Sequence, residues 1–238
     1  MPVLAIGHRG AAGHAPENTL SSFLEAVALG ADGVELDVQL SADGAVMVFH
    51  DDHLDRVTNA KGLLAEQSLD VLSRVDAGSW FHPRFRDQHV PTLGEVLSVL
   101  AGSGVVNVEL KYGPEMPALV EATLAVVSAC DAMESVVFSS FDHRALNYLR
   151  QCAPSARIGV LLTYGREEKS LAVAERLGAV NIHPPTISVS REFVELAHRA
   201  GCDVWVWTAN ERKEIRRLIA AGVDGIISDY PERVIQER

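Results

Sequence analysis

The stretch "GVELDVQLSADGAVMVFHDD", residues 33–52, decides how this chain is read. Its Val, Leu and Phe residues alternate with period two, as a half-buried strand requires. Glu35, Asp37 and His50 stand where such a strand normally places apolar residues. Strand side chains point to opposite faces in turn, so Glu35 and Asp37 share one face. "SADG" is too short for a crossover helix, so Ala45–His50 must return antiparallel as a hairpin. A turn at Ala42–Asp43 sets His50 across from Glu35; a turn at Asp43–Gly44 sets it across from Asp37. Either even-length loop gathers all three groups on one face, whereas an odd loop or a bulge spoils this. Unpaired buried charge is prohibitively costly, and a divalent cation would satisfy both acids at once.

Outward from this hairpin, short β-rich runs alternate with helix-period segments. The strand candidates are Val3–His8, Gly33–Gln39, Val105–Lys111, Ser135–Ser140, Arg157–Leu162, Val180–His183, Asp203–Trp207 and Gly225–Ser228. Helical periodicity marks Thr19–Leu29, Leu93–Leu100, Met116–Cys130, His143–Gln151, Ser170–Leu177, Arg191–Ala200 and Asn210–Ala221. Gly30, Gly178, Gly201 and Gly222 follow helices at the position of a left-handed C-cap. Strand–helix alternation throughout predicts a parallel sheet. Eight such strands in 238 residues match the size of a (β/α)8 TIM barrel. An open doubly wound sheet is the competitor, and no GxGxxG opening supports it. Residues 51–92 lack the βα rhythm and carry Gly, Pro and aromatics. They read as a small insertion after the second barrel strand, a subdomain or lid within a single 1–238 domain.

Bulk properties narrow the function. The chain is 47% hydrophobic and 22% charged, an ordinary globular composition. No apolar run approaches the roughly 18 residues of a membrane span, and the N-terminus has no signal-peptide apolar region. The net charge of −11 argues against a nucleic-acid partner, an anionic membrane surface or membrane insertion. Cys130, Cys152 and Cys202 are widely spaced and unpaired in pattern, which fits a reducing cytoplasm. The sequence leaves a homo-oligomer open.

The polar intrusions recur at one level. Glu109 and Lys111 in "VVNVELKYG" share a face near the end of a parallel strand, and His8 and Arg9 end the first strand. Active sites of this barrel form at the C-terminal strand ends. Glu35, Asp37 and Glu109 make a hard-oxygen site suited to one Mg²⁺ or Ca²⁺. Arg9 and Lys111 supply positive charge for a phosphate. His8 and His50 can serve as general acid and base. Together these describe phosphoryl chemistry.

Here the chain resembles the glycerophosphodiester phosphodiesterase family, within the phosphatidylinositol-phospholipase-C-like barrels. The matching segments are "HRG" (8–10), "PENTLSSF" (16–23), residues 33–52, "LDRVTNAKG" (54–62), "VPTLGEVL" (90–97), "VELK" (108–111), "FSSF" (138–141), "VWVWTAN" (204–210) and "DGIISDYP" (224–231). They run in family order over nearly the whole chain. The resemblance implies that His8 and His50 are the acid–base pair, that Glu35, Asp37 and Glu109 hold the metal, and that Arg9 and Lys111 bind phosphate. It implies a small-molecule glycerophosphodiester substrate, cleaved to sn-glycerol 3-phosphate and an alcohol. By the family mechanism that the resemblance implies, a glycerol hydroxyl attacks phosphorus and water then opens the cyclic phosphate. It also implies that the segment after His50 covers the mouth. Ser228 in "SDYP" departs from the common Thr.

Trp207, at a strand end, is a candidate for lining the glycerol or head-group pocket. Glu17 and Asn18 are expected to brace the His8 loop and cap the first helix, and His183 ends a strand at the same level. Two alternatives stand beside the leading reading. One is a lysophospholipase D or phospholipase-type activity on lipids; the other is a non-catalytic barrel that binds phosphorylated ligands.

Overall fold

Strand β1 (Leu4–Gly7) has parallel partners on both sides, β2 (Gly33–Leu40) and β9 (Gly225–Ser228), and this double pairing closes the sheet. The computed structural model describes residues 2–113 and 115–238. Between β2 and β9 run β4 (Val105–Leu110), β5 (Val136–Ser140), β6 (Arg157–Leu161), β7 (Asn181–His183) and β8 (Asp203–Val206). All pair in parallel, giving the eight-stranded (β/α)8 barrel that the alternation predicts. The short β3 (Val46–Val48) pairs antiparallel with the far end of β2 and stands outside the ring. No helix among the described residues is long and apolar enough to cross a membrane.

The outer layer comprises α1 (Leu20–Ala28), α3 (Leu93–Val99), α4 (Met116–Ala129), α5 (His143–Cys152), α6 (Glu167–Leu177), α7 (Arg191–Arg199), α8 (Arg212–Ala221) and α9 (Pro231–Glu237). Their starts follow from local chemistry. The Thr19 hydroxyl accepts from Ser22 N at α1, and Thr92 with Glu95 forms a capping box at α3. Such caps satisfy the amides that a first helical turn leaves free. Gly30, Gly178, Gly201 and Gly222 are left-handed as expected. Helix α6 begins one turn before the expected Ser170, and α9, opened by Pro231 at its first turn, is an addition to the sequence reading.

Strand β2 shows how the alternation is used. Val34, Leu36 and Val38 enter the core between sheet and helices with Phe23, Leu93 and Val96. Burying each such side chain contributes about 1.5–3 kcal/mol. Glu35 and Asp37 face the opposite way, into the barrel, level with Asn107 and Glu109 of β4. Lower in the interior, Ile6, Val137, Trp205 and Ile227 pack together. Acids at the top of an apolar barrel floor are thus held on rigid strands.

The hairpin departs from the expected register. Leu40 pairs with Val46 and Val38 with Val48, so the Ser41–Ala45 loop is odd in length. Phe49, not His50, lies opposite Asp37, and its amide donates to the Asp37 carbonyl. Phe49 then joins Met47, Leu54, Leu64, Leu72 and Val90 in a separate apolar cluster. This cluster underlies residues 51–92, which form short 3₁₀ turns at Leu54–Arg56, Leu64–Glu66 and Pro83–Phe85 and the one-turn helix α2 (Leu69–Leu72). His50 reaches the barrel mouth because the chain bends off the ladder. The Gln39 amide holds that bend, donating to the carbonyls of Phe49, His50 and Asp51 at 3.0, 3.1 and 2.8 Å.

Candidate active site

Two adjacent strands deliver the acids, Glu35 and Asp37 from β2 and Glu109 from β4. Carboxylate oxygens of Glu35, Asp37 and Glu109 all lie within 4.8 Å of one another, and all three side chains are buried. Two cations interleave with them. Lys111 Nζ donates to Glu109 Oε1 at 2.9 Å and lies 3.3 Å from Asp37 Oδ1. Arg9 Nε lies 3.3 Å from Asp37 Oδ2 without the geometry of a hydrogen bond, and its proton has no other partner among the described residues. That buried donor is free for a ligand oxygen. The Arg9 backbone amide donates to Glu35 Oε2 at 3.0 Å, and the Asn18 amide donates to Asp37 Oδ2 at 2.9 Å.

A tight turn after β1 places Arg9. Arg9 and Asn18 both have positive φ, 49° and 55°, and a Cβ on Gly7 would lie 2.5 Å from the Gly10 carbonyl oxygen. Glycine at 7 is therefore a steric requirement of this turn.

Electrostatics separates the three acids. Burial pushes the Glu35 carboxyl up to about 8, and the neighbouring Asp37 charge adds to that. Burial raises Glu109 as well, again with help from Asp37. Burial would also raise Asp37, but Lys111 and Arg9 outweigh it and hold its carboxyl below the usual range. Three acids facing two cations leave an excess of acid in a dry site. Hard-oxygen ligands with that excess fit a divalent cation.

Each histidine has its own carboxylate. His8 Nδ1 is 2.7 Å from Asp229 Oδ1, and its Nε2 lies 4.0 Å from Glu35 Oε2. Burial alone would lower the His8 pKa, but the Asp229 bond and the Glu35 charge prevail and raise it. His50 Nδ1 is 2.6 Å from Asp51 Oδ1. Burial is the largest influence on His50, and its pKa ends below the ordinary value. In both rings the Nδ1 partner leaves Nε2 for other work.

The remaining expectations divide. Trp207 is half-buried at the mouth, its Nε1 donating to the His183 carbonyl at 2.9 Å and its ring edge-on to Phe141. Glu17 does brace the His8 loop, through Arg9. Asn18 braces it as well, its backbone amide donating to the Arg9 carbonyl at 3.0 Å, while its side chain binds Asp37 and Thr19 takes the cap. His183 is fully buried, bonded to Asn181 and stacked on Trp205, and burial pushes its pKa down to about 3. It is part of the barrel interior.

Asp229, Asn210, Asp51, Arg56 and Gln39 escaped the sequence reading as site residues. Asn210 Nδ2 donates to Asp229 Oδ2 at 2.6 Å and so holds the carboxylate that holds His8. Asp229 directly follows β9 at its C-terminal end, the position that singled out the other polar residues, and that rule would have found it.

Comparison with known proteins agrees with this geometry. The sequence profile of the Glycerophosphoryl diester phosphodiesterase family matches residues 8–233. A glycerophosphodiester phosphodiesterase from Caldanaerobacter subterraneus is 38% identical over 237 residues, covering 99% of this chain and 97% of the relative. Among solved structures, an Oleispira antarctica phosphodiesterase in complex with the product sn-glycerol-3-phosphate superposes with a TM-score of 0.90. It is 31% identical, and the match covers 100% of this chain and 96% of that one. A glycerophosphodiester phosphodiesterase from Agrobacterium tumefaciens gives a TM-score of 0.86 at 31% identity, covering 99% and 100%. The acids, cations and histidines gathered at one barrel mouth thus sit on a chain that belongs to the glycerophosphoryl diester phosphodiesterase family.

Proposed function

We propose that this enzyme hydrolyses glycerophosphodiesters to sn-glycerol 3-phosphate and a free alcohol, with His8 and His50 as its acid–base pair. The observation that carries the reading is the meeting of Glu35, Asp37 and Glu109 beside Arg9 and Lys111. The product bound to the Oleispira relative supports the substrate class.

Glu35, Asp37 and Glu109 would hold one divalent cation, Mg²⁺ or Ca²⁺, which when bound supplies positive charge against the phosphoryl oxygens. Arg9 and Lys111 bind and orient the phosphate, Arg9 through its free Nε donor. One histidine accepts the proton of a glycerol hydroxyl as that oxygen bonds to phosphorus. The other gives a proton to the departing alkoxide, so a cyclic phosphate and neutral alcohol result. The roles then reverse: water loses a proton as it opens the ring, and the freed glycerol oxygen gains one. Trp207 lines the glycerol side. Residues 51–92, with their own apolar cluster, act as a lid that favours small soluble substrates in the cytoplasm.

A lipid substrate is the second reading, and one observation favours it. Tyr112, Phe141, Tyr164 and Ile187, on the loops after β4, β5, β6 and β7, are all exposed at the mouth. A choline-release assay on glycerophosphocholine and lysophosphatidylcholine separates the two, since the lipid would leave acylated glycerol phosphate rather than glycerol 3-phosphate. The expected result is faster turnover of the soluble diester, abolished by EDTA and restored by Mg²⁺ or Ca²⁺. Preference for the lipid would reverse the assignment, and turnover unaffected by EDTA would remove the cation.

The carboxylates also set a pH signature. Glu35 titrates near 8 in the fold against an ordinary 4.5, so between those values only the folded state carries its proton. Its contribution to stability therefore falls as pH rises through that window. Cation binding requires the ionised acid and removes that loss. Binding of Mg²⁺ or Ca²⁺ near neutral pH should release close to one proton, read by calorimetry in buffers of different ionisation enthalpy. Binding without proton release would contradict it.

A further inference from the structure

We infer that Arg56, from the segment following β3, is a positioning residue that ties the His50 imidazole to the Arg9 guanidinium. The inference rests on the reading of His50 and Arg9 given above and adds a residue to it.

Both edges of the Arg56 guanidinium are occupied. Towards the hairpin, Nε donates to Asp51 Oδ2 at 2.6 Å and Nη2 to Asp51 Oδ1 at 3.0 Å. Towards the first barrel loop, Nη1 donates to Glu17 Oε2 at 2.8 Å and Nη2 to Glu17 Oε1 at 2.7 Å. Asp51 in turn holds His50 Nδ1 at 2.6 Å, and Glu17 holds Arg9 Nη1 at 2.6 Å. One guanidinium thus joins two side chains of the mouth that arrive from β1 and from beyond β3. A planar fork can grip two carboxylates in this way, and an ammonium cannot.

The backbone that presents Arg56 is built for it. The 3₁₀ turn Leu54–Arg56 is anchored by Leu54, 1% exposed in the apolar cluster beneath. The Thr58 hydroxyl donates to the Leu54 carbonyl at 2.7 Å, and Asp55 accepts from the Gly62 amide at 3.0 Å. These are the residues of "LDRVTNAKG", the segment to which the site chemistry otherwise gives no task.

Single exposed ion pairs add little to stability, and Arg56 is about half exposed, 47%. Its worth therefore lies in orientation. Without it, Asp51 and His50 lose their tether, and Glu17 is left to Arg9 alone. Misplacing a catalytic group by about 1 Å can cost about 10²-fold in rate.

The test uses the full-length enzyme with glycerophosphocholine and its cation. Arg56→Ala should lower kcat by about 10- to 100-fold with its urea unfolding midpoint unchanged. Added guanidinium should recover kcat in Arg56→Ala, whereas ammonium should not. Arg56→Lys, with charge but one carboxylate in reach, should stay well below the parent. A kcat for Arg56→Ala within twofold of the parent overturns the inference. So does a loss that guanidinium leaves untouched, since that marks a role in folding only. If the parent itself releases no glycerol 3-phosphate, the functional reading fails instead, and ¹⁵N shifts of His50 still decide the positioning. The parent should show one tautomer protonated at Nδ1, and Arg56→Ala a mixture; identical spectra overturn the inference.

Discussion

His50→Ala is expected to lower kcat for glycerophosphocholine by about 10²–10⁴-fold, the usual worth of a positioned acid or base, while cation affinity stays within a few-fold of the parent. The reason is geometric. His50 is held through Nδ1 by Asp51 and is not among the three carboxylates of the acid cluster. His8→Ala should lose activity on the same scale, since Asp229, at the end of the neighbouring strand β9, holds His8 in a matching way. The two variants should then part company. A p-nitrophenyl leaving group departs without a proton, so the variant lacking the acid should recover with it and the variant lacking the base should not. Equal recovery in both would contradict separate roles. Full activity in His50→Ala would remove the acid–base pair from the account.

Asp37→Asn is expected to reduce activity by at least about 10³-fold, because a cation bound at such a site stabilises transition-state charge by several kcal/mol. Asp37 is the acid that stays ionised, kept so against its burial by Lys111 and Arg9. Removing one partner of a buried ion pair ordinarily costs about 3–5 kcal/mol. A smaller stability loss is expected here, because Asp37 is also what disfavours ionisation of Glu35 and Glu109 after burial itself. Once it is neutral, Glu35 can ionise in its place and face the same two cations. Urea unfolding in EDTA reads the stability, and calorimetry reads the cation. Intact cation affinity in Asp37→Asn would contradict the assignment of Asp37 as a ligand. A loss of the full buried-pair size would contradict the compensation.

Much of this was legible in the residues. Period-two alternation in "GVELDVQL" separated Val34, Leu36 and Val38 from Glu35 and Asp37, and strand–helix alternation led to the barrel. The site followed from one rule, that polar groups at C-terminal strand ends belong to the mouth. What stayed hidden depended on side chains acting on backbone at a distance. No turn rule separates the odd Ser41–Ala45 loop from an even one, and the Gln39 amide that redirects the chain after Phe49 acts across the hairpin. The Asp229 partnership spans 221 residues and Glu17–Arg56 spans 39, so no local spacing announces either. His183 sits at the right level in sequence, yet closure of the barrel buries it wholly.

The most direct measurement of the central claim is a crystal grown with Mn²⁺ and read by anomalous diffraction. A single peak bounded by oxygens of Glu35, Asp37 and Glu109, at about 2.0–2.6 Å from each ligand atom, is the expected result. A peak elsewhere, or none while the three carboxylates remain gathered on Arg9 and Lys111, would contradict it.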